Sequence, residues 1–210
     1  MMKIIGEVKS IAVVIVFALV IFKLQDAFAV NDISFDLRPV NSTSSTNTVR
    51  ISFTGKQYIN DLWFDDITKN NLSLDADERF VFNLIAANAT GTQTELLNLW
   101  APDERSSISE IISDNEIYTL NKNRYKQIQN SIFLAKIDFG EYTVFFMQHV
   151  FNEITSIVKT YTIKKVNDNF YLTGALGSDP IYNYVMMSYR GTLPQKKKSD
   201  SVIMYYGHVT

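Results

Sequence analysis

Of the 210 residues none is cysteine. That excludes disulfide scaffolds, thiolate metal sites, cysteine nucleophiles and a lipidated cysteine. Histidine is nearly absent as well: His149 and His208 stand alone, too few for a histidine-rich metal centre. No charge sign dominates, with 20 Lys and Arg against 22 Asp and Glu and a net charge of −2. A polyanion-binding surface, and with it a nucleic-acid partner, is therefore not expected. The G-x-G-x-x-G, G-x-x-x-x-G-K-[ST] and G-x-S-x-G patterns are all missing, so neither nucleotide binding nor a serine elbow has motif support. Two acidic groups, Asp61, Asp65 and Asp66 and then Asp75, Asp77 and Glu78, lack the alternating ligands around a glycine that a calcium loop requires. No metal and no cofactor is expected.

Long apolar runs are lacking too. Ile11 to Phe22 (IAVVIVFALVIF) is twelve residues, whereas a spanning helix needs about 20. Lys3 and Lys9 precede the run, Lys23 closes it, and Ala27-Phe28-Ala29 follows as a small-x-small step. This is a signal-peptide pattern, predicting cleavage after Ala29. Residues 1–29 are then an export signal and residues 30–210 the mature chain. If the signal were kept, it would anchor the chain, and that segment would be the only membrane contact. Removing it leaves 17 basic and 20 acidic residues, an ordinary soluble composition. An exported chain without cysteine reads as bacterial, hence periplasmic or secreted.

The mature chain changes period twice. Residues 30–74 read as strands, because Ile33, Phe35 and Leu37, then Val49, Ile51 and Phe53, alternate with polar residues. The tract Asn41 to Asn47 (NSTSSTN) separates them. From about residue 75 to 130 the period is helical. Asp75-x-x-Glu78 and Thr92-x-x-Glu95 are capping boxes, and Gly91 ends the first helix. Pro102 closes the second helix and opens the next, and Asn121 caps a last helix bearing Tyr125 and Ile128. From 131 period two returns, with Phe133, Ala135, Ile137 and Phe139 on one face. In the following strand Phe145, Met147 and His149 oppose Tyr142, Val144 and Phe146. Asn167-Asp168-Asn169 is a turn. Tyr182 to Tyr189 and Val202 to Val209 read as a terminal hairpin in residues 177–210.

Helices first and a meandering sheet second make an α+β domain, with three to four short helices on a curved antiparallel sheet. The segment 75–176 resembles the nuclear-transport-factor-two-like superfamily. The resemblance rests on the capped helix DADERFVFNLIAANATG, the step LLNLWAP and the closing hairpin IKKVNDNFYLT. It implies a cone-like fold carrying extra N-terminal strands and the C-terminal hairpin. It implies no chemistry, because isomerases, dehydratases, transport factors and binding domains share that scaffold.

Two sets of residues are candidates for function. His149, flanked by Phe145, Met147 and Phe151, has the setting of a general base in an apolar cavity or of a buried strand histidine. Tyr182, Tyr184, Tyr205 and Tyr206 concentrate near the end, where exposed tyrosines suit a saccharide or a protein partner, and where β-propensity alone also favours them. Lys196 to Lys198 lie between the two terminal segments. The expectation is an exported, non-catalytic ligand- or partner-binding or assembly protein of the envelope. A small cavity enzyme of hydrolase, isomerase or lyase type, using His149 as acid and base, is the alternative.

Overall fold

The computed structural model describes residues 28–37, 49–70 and 73–192. Six strands form one antiparallel sheet in sequence order: β1 (Phe28–Leu37), β2 (Val49–Trp63), β3 (Asn130–Phe139), β4 (Tyr142–Val150), β5 (Ser156–Val166) and β6 (Asn169–Leu172). The helices are α1 (Phe64–Asn70), α2 (Ala76–Thr90), α3 (Gln93–Asn98), α4 (Arg105–Ser113), α5 (Asn115–Lys126) and α6 (Pro180–Thr192). The class is α+β with an open, curved antiparallel sheet, as the sequence predicts.

The alternating residues of the first stretch are paired strands. Ile33 lies opposite Phe53 and Phe35 opposite Ile51. β2 also joins β3, so the N-terminal strands extend the same sheet as the segment 75–176. Both capping boxes form: the Asp75 N–H donates to Glu78 Oε2 at 3.1 Å, and the Thr92 N–H to Glu95 Oε2 at 2.7 Å. Asn167 and Asp168 take positive φ between β5 and β6, as the Asx turn requires. The outer edge of β6 is covered by the α3–α4 connection, where the Leu172 N–H reaches Leu99 O and the Ala101 N–H reaches Leu172 O.

Besides α1 (Phe64–Asn70), a helix inside the stretch 30–74 read as strands, four expectations need correction. First, Tyr182 to Tyr189 is helix, not strand. Asp179 caps it, its Oδ1 accepting from the Ile181 and Tyr182 N–H groups at 2.8 Å each, and Pro180 occupies the first turn. The apolar set Tyr182, Val185 and Met186 has spacing i, i+3, i+4, which fits a helix better than the alternation of tyrosines fits a strand. Second, Asp114 rather than Asn121 caps α5, accepting from the Glu116 and Ile117 N–H groups. Asn121 lies inside that helix and donates to Asn88 Oδ1. Third, Pro102 sits in a turn and α4 begins only at Arg105.

Fourth, β3 does not keep one face. Phe133 pairs with Met147 but Ala135 pairs with Phe146, so Leu134 is an extra residue, a bulge that reverses the alternation. Phe133 joins the core under α1, α2 and α5, with Val81, Leu84, Tyr125, Phe145 and Tyr161. Ala135 and Ile137 join a second core on the opposite face, with Phe35, Val144, Phe146 and Val185 of α6. The sheet is therefore covered on both faces, and Val144 to Met147 are buried without a break.

Candidate functional site

The bulge at Leu134 leaves Ser131 on the helix-covered face, next to His149, its partner across β3 and β4. His149 is 1% exposed. Both ring nitrogens are engaged: Nδ1 lies 2.8 Å from Ser131 Oγ and Nε2 lies 2.7 Å from the Tyr161 hydroxyl of β5. The Tyr161 hydroxyl lies 2.8 Å from that of Tyr125 on α5, and Lys159 Nζ donates to the Tyr125 hydroxyl at 2.7 Å. Five side chains thus form one chain from the core to the exposed Lys159.

An ammonium only donates, so the Tyr125 oxygen accepts from Lys159. Either phenol can donate across the Tyr125–Tyr161 contact, and the His149 tautomer follows from that choice: Tyr161 donates to an unprotonated Nε2, or accepts from Nε2–H. In both arrangements a neutral imidazole uses both nitrogens. Electrostatics agree with the neutral ring. Burial, and then the positive charge of Lys159, push the His149 pKa down to about 3. Burial first, and then Tyr125, push the Tyr161 phenol well above its usual value.

A second buried polar group lies at the start of α2. Glu78 is 1% exposed yet accepts from Lys56 Nζ at 2.7 Å, from the Tyr58 hydroxyl at 2.6 Å and from the Asp75 N–H. Lys136 of β3 reaches Asp77 at 2.8 Å, Asp75 at 3.2 Å and Glu78 at 3.4 Å. Oxygens of Asp75, Asp77 and Glu78 lie within 4.8 Å of one another, close enough to share a cation. Two ammonium groups, those of Lys56 and Lys136, already pair with all three, and the arrangement pins α2 to β2 and β3. Burial, and then Glu78, raise the Tyr58 phenol far above its ordinary range.

The other candidates separate. Tyr182 turns inward from α6: its hydroxyl accepts from Thr162 Oγ1 at 3.0 Å, and its ring stands edge-on to Phe139 at 6.2 Å. Tyr184 is half-buried on the same helix. Tyr205 and Tyr206, with His208 and Lys196 to Lys198, lie outside the described residues. Of the described tyrosines in this set, Tyr182 packs in the core on the sheet face opposite His149. The partners of His149 were missed in the sequence. Tyr125 and Tyr161 are visible there as inward-facing residues of a helix and a strand, but nothing in the spacing joins them to Ser131.

The fold and the site define an antiparallel α+β protein whose buried His149 is held by hydroxyls. No family model, no curated protein and no solved structure matches the chain.

Proposed function

We propose that the chain is an exported, non-catalytic protein of the bacterial envelope that binds a ligand or partner, an envelope protein or a saccharide, or assembles with one. The single observation carrying this reading is the engagement of His149. Its nitrogens are both used inside a core where it is 1% exposed. A general base must come within hydrogen-bond reach of the proton it removes, and a ring this buried reaches no group outside the core. Helices followed by a curved antiparallel sheet support the nuclear-transport-factor-two-like resemblance, a scaffold that includes pure binding domains.

The export half of the reading rests on residues 1–29. The bond after Ala29 falls inside β1, where Ala29 pairs with Gln57 and Val30 with Lys56. Cleavage there must precede the pairing of β1 with β2, which suits a chain threaded unfolded across a membrane. The shortened strand keeps eight of its ten pairs, Val30 to Leu37. The test is N-terminal sequencing of the chain recovered from the envelope fraction. A start at Val30 supports the reading; a chain beginning at Met1 in the cytoplasm rejects it.

One observation favours the second reading, a small cavity enzyme. Ser131 Oγ and the Tyr161 hydroxyl flank His149 as a nucleophile and a proton donor would. In that case Ser131→Ala and His149→Gln would abolish a turnover that the folded chain otherwise shows.

A further inference from the structure

Helix α5 has two contrasting faces. Its inner face docks on α2: the Tyr118 hydroxyl and Lys122 Nζ both donate to Gly91 O, Asn121 donates to Asn88, and Tyr125 is buried. At about 100° per residue, Glu116, Ile117, Leu120, Asn123 and Arg124 fall together on the opposite side. All five are exposed. Leu120 is 64% exposed and Ile117 47%, two of the most exposed large apolar side chains described. Ile111 on the adjoining α4 is 43% exposed. An acid stands one turn before Leu120 and a base one turn after it, each four residues away.

That spacing is self-complementary. When two copies of α5 lie antiparallel with Leu120 on the two-fold axis, Leu120 meets Leu120, Ile117 meets Asn123, and Glu116 meets Arg124 of the second copy, twice over. A two-fold interface requires this property of a single surface. A parallel arrangement would instead set Glu116 against Glu116 and Arg124 against Arg124. We infer that the outer face of α5 is a homodimer interface, formed antiparallel about Leu120. One helix on one helix buries less than the roughly 800 Å² per partner of a standard interface, so the association is weak, with Kd of about 10–100 µM. It stands on α5 alone and is independent of the export signal and of any other partner.

The experiment is sedimentation equilibrium of the chain purified from whole cells, taken to about 0.3 mM, above the expected Kd. The wild type should show a monomer–dimer equilibrium. Leu120→Glu should weaken it by about tenfold or more, with an unchanged melting curve because the side chain is exposed. Glu116→Lys alone and Arg124→Glu alone should each weaken it, and the double variant should restore it. A wild type that stays monomeric overturns the inference. So does a dimer indifferent to Leu120→Glu, or one that the charge swap does not restore. A monomer that instead floats with anionic lipid vesicles, and loses this with Leu120→Glu, would assign the stripe to a membrane surface.

Discussion

His149 shows how burial fixes the state of a residue. Out of water, a charged imidazole loses its hydration, and Lys159 at the end of the chain opposes it further. The folded pKa of about 3 lies below the usual 6.5, so the unfolded chain binds more protons between those values. Stability therefore falls as pH drops through that window, by up to about 1.4 kcal/mol per unit, and levels off near pH 3. Chemical denaturation of the wild type between pH 7 and 4.5 should show this loss. His149→Gln, though less stable at neutral pH, should show a flatter profile, and an equal slope in both would contradict a neutral buried histidine. Lowered carboxylates such as Asp75 lose their contribution at lower pH and are common to both proteins. At the second buried group, Tyr58→Phe removes a hydrogen bond to the Glu78 carboxylate and should cost about 1.5–3 kcal/mol, read from the denaturation midpoint.

Single elements were legible in the sequence wherever the signal was local. Both capping boxes, the Asx turn, the paired alternation of β1 with β2 and the two-faced β4 depend on neighbours a few residues apart. The bulge at Leu134 does not announce itself, because Phe133, Leu134 and Ala135 are all apolar and only pairing with β4 reveals which residue is extra. α6 was misread although Asp179-Pro180 is a start signal, since tyrosines at alternate positions imitate a strand. Asp179→Ala should cost about 1 kcal/mol and loosen α6 selectively, seen as faster amide exchange around Val185 than around Phe145. The β2–β3 contact offers a sharper test. A Cβ on Gly55 would lie 2.5 Å from Lys136 O, a backbone atom, and 2.9 Å from Ile33 Cδ1. Gly55→Ala should destabilise by about 1–3 kcal/mol, whereas Gly140→Asn, at positive φ with nothing near, should be mild.

On the scale of the described residues, the sheet is covered by α1, α2 and α5 on one face and by α6 on the other, and it isolates His149 from solvent. The partners of His149 come from α5, β3 and β5, separated by up to 36 residues, which is why no spacing in the sequence could assemble them. Of the tyrosines expected to form a recognition surface, Tyr182 serves the core, while Ile117 and Leu120 on the outer face of α5 are exposed. Under the proposed function such a molecule acts through its surfaces. The measurement that tests this most directly is cross-linking in intact cells, followed by recovery of the tagged chain from the envelope fraction, for the wild type and for His149→Gln. The expected result is a chain starting at Val30, linked to the same defined partners in both proteins. A cytoplasmic chain, or a turnover that disappears with His149→Gln while the fold survives, would contradict it.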